Sequence, residues 1–558
     1  MVEWILIFQI FTLLMGIFYA RRPEFEKFPY YISAISIFSA ILAIGTFVNQ
    51  IISPQITKKI LFNLLEFNNY SLNFCLLSDS LSITVIAIVC LITAISNFYS
   101  LGYIQKNLPL FLCYLNAMPI FLTFFIASDN LMQMYICLHL LYVGSYFLIS
   151  FDRKETSIKK GNNFLAVIKI GDAIFLIAVA LILKNFETLS FEDINKFSIQ
   201  DDAQLRSLEI ISVIMIISIV LKSFPTGILS CGRHSSSAPI PALVVIQSSV
   251  ISAAEIFIII RLQSIFECSE TIQDMLVLAG LFEAILGAIS AGYQKDIRKI
   301  LVYSSISQSG LMLTACGFSA YGAAIMLYIT HAFSKSLLTF ASGSIIKALS
   351  GECCIDKMGG LMETLPKTYA SFVIAIISAC CFPLLPSYYA NKILVNDIIF
   401  SESDLYYFAL LSITAVALLT SLYFFRVLYK IFHGPTHIDE ISFGYANEND
   451  KFITISLYIS IFLAIFSGVI FYYAAYTSTI WKDLAVFSYK SNSVVVIAFF
   501  TVNFIGIIGA IMVSKSLKFS QVNFPTYKLL IIFWHLCLLK IKIYGNQLVS
   551  NFRRKDSQ

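Results

Sequence analysis

The chain has 558 residues, of which 58% are hydrophobic and only 13% charged, with a mean hydropathy of +0.81 and a formal net charge of +5. Soluble proteins carry about 25% charged residues, so this composition excludes a soluble enzyme, and length cannot be read as a count of soluble domains. Lys and Arg gather between the apolar runs, which fits loops at a membrane surface and not a nucleic-acid face.

In chain order, apolar runs near the roughly 20 residues needed to cross a bilayer predict fifteen membrane helices: 4–20, 30–52, 80–100, 108–127, 130–150, 163–184, 208–230, 239–261, 273–290, 299–319, 321–346, 369–390, 405–430, 453–475 and 493–514. The fold class is all-α integral membrane. The start, Met1-Val2-Glu3-Trp4, enters a helix directly. It lacks the basic region and cleavage site of a signal peptide and the arginines of a transit peptide, so insertion where the chain is made is expected. Larger polar loops fall at 53–79, 185–207 and 435–451, and alternation over Ser71–Leu77 predicts a short hairpin strand on the membrane surface. Segment 524–545 places Lys528, His535, Lys540 and Lys542 among apolar residues and predicts an amphipathic helix lying along the membrane, with a frayed polar end from Asn551 to Gln558.

Two spans carry helix breakers beside a charge. Lys222 is followed by Pro225 and Gly227, and Pro383 and Pro386 precede Asn391 and Lys392. Interrupted helices in corresponding places of two halves point to an inverted-repeat transporter with sites at mid-membrane; ordinary proline kinks are the alternative. The 12 cysteines include no C-x-x-C, so local spacing points to no zinc or iron–sulfur site, and the phosphate-binding G-x-x-x-x-G-K-[ST] is missing. Energy must come from an ion gradient or a partner.

Ionisable groups within spans cost about 2.5–3.5 kcal/mol each on insertion scales and are functional candidates by default. In span 321–346, His331 and Lys335 are four residues apart and share a helical face. A lysine in a low-dielectric cavity can exchange protons near neutrality, and histidine titrates close to it. Together they predict two steps of a water-bridged proton path. Lys222 is the second candidate; Asp172, Glu255, Glu283 and His139 also fall within spans, with satisfied packing or snorkelling as their alternative reading.

Residues 296–361 are the most specific stretch. Asp296-Ile297-Arg298-Lys299-Ile300-Leu301-Val302-Tyr303-Ser304-Ser305-Ile306-Ser307-Gln308 leads into Thr330-His331-Ala332-Phe333-Ser334-Lys335-Ser336-Leu337-Leu338, then Gly343-Ser344-Ile345-Ile346 and Lys357-Met358-Gly359-Gly360-Leu361. Their order and spacing resemble the antiporter-like family that includes chain 5 of NADH:ubiquinone oxidoreductase, respiratory complex I, and more distantly the large subunits of multisubunit cation/proton antiporters. Leu77–Ser82, Ser128–Leu131, Gly171-Asp172, Lys222-Ser223, Pro239, Pro241, Arg261 and Thr420–Arg426 agree, so the resemblance spans roughly 70–435.

The resemblance implies N-terminal helices with a surface hairpin at 1–107, two inverted five-helix repeats at 108–261 and 273–434 with broken helices at the seventh and twelfth spans, C-terminal helices at 452–515 and a shortened lateral helix and tail at 524–558. It implies that Lys222, His331, Lys335 and Lys392 lie on a hydrated axis carrying protons. It further implies no cofactor in this chain: NADH, FMN, iron–sulfur clusters and quinone belong to partner subunits. The implied partners are other membrane-arm and accessory subunits and membrane lipids, with no nucleic acid. The implied setting is the mitochondrial inner membrane, favoured weakly by a composition typical of an AT-rich genome, with a bacterial plasma membrane as the alternative.

Departures from the family pattern concern the proton stations. The fifth-span glutamate that pairs with the seventh-span lysine is His139 here, the eighth-span histidine is Gln247, and the twelfth-span lysine is Asn391, with Lys392 one place later. Leu327 stands where a histidine often precedes His331, and Leu229 and Cys231 replace a histidine and a tryptophan. His139 cannot make the glutamate's ion pair; Glu255 is the residue expected to compensate. Two further readings stay open: a free-standing cation/proton antiporter component, and a structural subunit that has lost its own pumping.

Overall fold

The computed structural model describes residues 2–21, 27–67, 70–196, 201–223, 234–247, 252–401, 403–436, 448, 450–477 and 493–516. The expected breakers Pro225 and Gly227, the substituted Leu229 and Cys231 and the whole of segment 524–558 lie outside these residues. The first helices are α1 (Val2–Arg21) and α2 (Phe28–Ile52), followed by an antiparallel hairpin of β1 (Thr57–Phe67) and β2 (Tyr70–Ser78). The short strand expected at 71–77 is therefore one arm of a hairpin that fills most of the loop.

Next come α3 (Ser80–Tyr103), α4 (Leu108–Ile126), α5 (Leu131–Ile149), α6 (Glu155–Phe186), a short surface α7 (Phe191–Lys196) and α8 (Asp202–Ser223). The eighth expected span comprises α9 (Ile240–Val244), three residues wound as π-helix at 245–247, and α10 (Ser252–Arg261), followed by a short α11 (Gln263–Phe266). Then follow α12 (Glu270–Tyr293), α13 (Ile297–Gly317), α14 (Tyr321–Ala348), α15 (Pro366–Ala379), α16 (Pro386–Ile399), α17 (Tyr406–Leu428), α18 (Lys451–Thr477) and α19 (Ser493–Ser516).

Twelve helical segments are long and apolar enough to cross a membrane among the described residues, fewer than the fifteen expected. The difference has physical causes. Helix α13 carries Ser304, Ser305, Ser307 and Ser309 besides Arg298 and Lys299, which lower its hydropathy. The twelfth span is split into α15 and α16. Of the last expected span, only Phe499–Gly509 within α19 counts as an apolar helix, too short to cross. Helix α6, one of the twelve, starts at Glu155 and not near 163; its 32 residues reach about 48 Å, and its polar first turns extend past the apolar run.

Glu3 pairs with Lys59 of the hairpin at 2.7 Å, and Arg261 with Asp79 at 2.5 Å, which sets the hairpin face of the molecule. Lys347, Asp450 and the Gly102 carbonyl meet on the opposite face. Side chains cap several helices: Asp79, Asn130 and Asp296 accept from the backbone of Ser82, Gln133 and Arg298, satisfying donors that a helix start leaves free. Helix α14 forms the centre, with its most apolar window wholly buried. Ile7, Leu14, Phe408 and Leu411 on outer helices face outward, as lipid-facing positions should.

The break between α15 and α16 is made by the backbone itself. Cys381 (φ +57°) and Leu384 (φ +71°) adopt left-handed conformations, and Pro386, which has no N–H, occupies the first turn of α16. Helices α12 and α13 touch backbone to backbone: a Cβ at Gly310 would stand 2.4 Å from the Ala284 nitrogen. Such small-residue contacts let membrane helices approach closely, and this one brings the polar face of α13 against α12.

Candidate functional site

Lys222, at the end of α8, is buried and its Nζ stands 2.8 Å from Asp172 Oδ1 on α6, also buried. Phe175 and Tyr142 place ring faces 5.2 and 5.5 Å from the ammonium, adding cation–π attraction in a low-dielectric setting. The lysine stem crosses α6 at Gly171, while Ser218 Oγ donates to the Gly171 carbonyl at 2.8 Å. The ion pair that the sequence places in doubt, because residue 139 is histidine, is thus supplied from α6. His139 joins it from α5, with Nδ1 3.1 Å from Asp172 Oδ2.

Glu255 of α10 is buried and its Oε1 has no hydrogen-bond partner among the described residues. It lies within electrostatic reach of both Lys222 and Glu283 of α12. Glu283, almost fully buried, accepts from Ser309 Oγ of α13 at 2.7 Å. Five residues, or about 7.5 Å of helix rise, separate Ser309 from Ser304, to which Lys335 Nζ donates.

His331 and Lys335 of α14 line one cavity of about 20 Å³, together with Ser304, Gln308, Ser387 and Tyr423. That volume admits about one water molecule. His331 Nε2 has no hydrogen-bond partner among the described residues. Lys335 Nζ also sits 5.7 Å from the Phe424 ring centre. Ala379, the last residue of α15, and Ser387, in the first turn of α16, both line the cavity. The helix break therefore opens onto Lys335, with the negative end of the α15 dipole and the positive end of the α16 dipole both at the cavity.

The remaining expected residues are placed differently. Asn391 Nδ2 donates to the Ser387 carbonyl at 2.8 Å and to Cys381 Sγ at 3.1 Å, so it braces the break one turn from the cavity. Lys392 does not join this group: it is half-buried and makes no ion pair or hydrogen bond among the described residues, and it does not line the cavity. The cause is its offset by one residue, about 100° around the helix. Gln247 Nε2 donates to Ser235 Oγ at 2.8 Å, a fixed polar bond near the interrupted eighth span. Sequence reasoning missed Lys169, whose Nζ is 2.7 Å from His139 Nε2. Its signal was available: it lies three residues before Asp172 on the same helical face.

The family model described as the transmembrane region of NADH:quinone oxidoreductases and Mrp antiporters matches residues 128–403. The chain is 28% identical to NADH-quinone oxidoreductase subunit L of Rickettsia bellii (strain RML369-C) over 446 residues, 78% of this chain and 69% of that one. It is 30% identical to NADH-ubiquinone oxidoreductase chain 5 of Metridium senile over 71% of this chain and 66% of that one. Its fold matches a chain of the membrane-bound sulfane sulfur reductase, an archaeal respiratory membrane complex, with a TM-score of 0.73 at 16% identity, covering 87% of this chain and 96% of that one. The matched region holds both lysine sites and the broken helix beside Lys335, and on this ground the chain belongs to the antiporter-like membrane subunits of the NADH:quinone oxidoreductases.

Proposed function

We propose that this chain moves protons across the membrane as a membrane-arm subunit of NADH:quinone oxidoreductase, coupling electron transfer elsewhere in the assembly to translocation here. The observation that carries the reading is Lys335, buried at the centre of the helix bundle, facing a polar cavity at an interrupted helix. Buried amines at such breaks are costly and suit cycles of charging and discharging. Lys222, balanced by Asp172, is the second station, and Glu255, Glu283 and the serines of α13 lie between the two.

NADH, FMN, the iron–sulfur clusters and the quinone reside on partner subunits, and other membrane-arm and accessory subunits with bound lipids surround this chain. The membrane proposed is the mitochondrial inner membrane, with a bacterial plasma membrane as the alternative; heavy use of Phe (49 residues), Ile, Asn and Lys, amino acids that AT-rich genomes encode often, weakly favours an organelle.

The test is proton uptake per NADH oxidised in the reconstituted assembly, with a native gel stained for NADH oxidation as the control for assembly. Lys222→Met and Lys335→Met each lower the ratio while the NADH-oxidising complex persists. Unchanged ratios in both variants would overturn the reading.

A further inference from the structure

We propose that His139 is a proton relay, its imidazole passing protons between Lys169 on the lateral surface and the buried Asp172–Lys222 pair; this rests on the translocation reading above. Lys169 lies near the middle of the 32-residue α6 and is exposed at the side of the helix bundle. Its Nζ is 2.7 Å from His139 Nε2, and the other ring nitrogen, Nδ1, is 3.1 Å from Asp172 Oδ2. Asp172 Oδ1 is in turn 2.8 Å from Lys222 Nζ. Two hydrogen bonds and one ion pair therefore connect four side chains from three helices, from the surface to the interior.

The chemistry of the donors sets the direction of each bond. An ammonium only donates, so Nε2 accepts from Lys169 and the ring proton sits on Nδ1, donated to the Asp172 carboxylate. A neutral imidazole is held between a cation and an anion, one on each nitrogen.

Transfer then balances. The N–H bond at Lys169 breaks as one forms at Nε2, and the Nδ1–H bond breaks as an O–H bond forms at Asp172. One proton passes from the surface amine to the buried acid, and the ring stays neutral in its other tautomer. Asp172, once protonated, no longer holds Lys222 as an ion pair, and Lys222 can release its own proton toward Glu255. Asp172 then passes its proton to the neutral Lys222, which restores the ion pair. The ring returns to its starting tautomer by losing the Nε2 proton to the neutral Lys169 amine and taking one from water at Nδ1, which the 31% exposure of the imidazole side chain allows. A carboxylate at position 139 would instead hold a fixed charge between Lys169 and Asp172.

Three variants of the intact complex, assayed for proton uptake per NADH oxidised, decide the matter. His139→Gln retains both hydrogen bonds, the amide nitrogen donating to Asp172 and the oxygen accepting from Lys169, yet it cannot pass a proton through. The relay predicts a lowered ratio in His139→Gln and in Lys169→Met, with no further loss when the two are combined. A wild-type ratio in His139→Gln overturns the relay, as do losses that add. If His139→Gln fails to assemble, a wild-type ratio in Lys169→Met overturns it. Lys222→Met and Lys335→Met separate the two readings: wild-type ratios in both remove the translocation reading and the relay together, whereas a wild-type ratio in Lys222→Met alone, or a loss there with His139→Gln unaffected, removes the relay alone.

Discussion

Lys222 lies across Gly171 so closely that a Cβ on the glycine would stand 2.8 Å from the lysine Cγ and 2.9 Å from its Cε. The contact is with a flexible side chain, so Gly171→Ala still folds, at a cost of about 1–3 kcal/mol typical of overpacking. The lysine must shift away from Asp172. Proton uptake per electron falls while the complex remains visible on a native gel. A wild-type ratio would show that the placement of the stem is immaterial.

The Asp172–Lys222 pair is buried on both sides, with 4% and 5% of the side chains exposed. Removing one partner of such a pair leaves an uncompensated charge and costs about 3–5 kcal/mol. Asp172→Ala and Lys222→Met alone should each lower the temperature at which the complex inactivates by more than the double variant does. Translocation stays impaired in all three. Additive losses of stability would refute direct pairing.

Glu255 lies within electrostatic reach of Lys222 and Glu283, with one carboxylate oxygen lacking a hydrogen-bond partner among the described residues. Glu255→Gln keeps the shape and removes the titrating group. The expected result is fewer protons moved per electron at an unchanged amount of assembled complex. An unaltered ratio would remove Glu255 from the path.

On the face opposite the hairpin, Asp356 ties the loop after α14 to Lys295, at 3.1 Å, and to Lys430. Burial raises the Asp356 carboxyl, but the two ammonium groups outweigh it and hold the carboxyl below its usual range. A group depressed in the folded state contributes stability above its unfolded value, about 3.9, and loses it as pH falls through the depressed value. Protease cleavage of the 349–361 loop should therefore rise only below about pH 4. Asp356→Asn should show the same cleavage at neutral pH.

Several features are legible in the amino-acid sequence alone. Hydrocarbon admits no unpaired backbone and few charges, so span after span stands out as an apolar run. For the same reason His331 and Lys335 are conspicuous, and their spacing of four alone places both on one wall of the cavity. Pro383 and Pro386 likewise announce an interrupted helix, which the left-handed Cys381 and Leu384 complete.

What the sequence by itself determined is the architecture of the spans and the identity of the lysines, because hydrophobicity and helical periodicity are local properties. What only the tertiary structure decided is pairing. Asp172 takes the role of counter-ion to Lys222 because α6 and α8 meet at Gly171, fifty-one positions earlier in the chain. Lys392 is left out of the cavity because one residue turns a side chain through about 100°. Lys169 joins His139 because α5 lies beside its exposed face. Such partners are set by where helices cross, and no local pattern encodes a crossing.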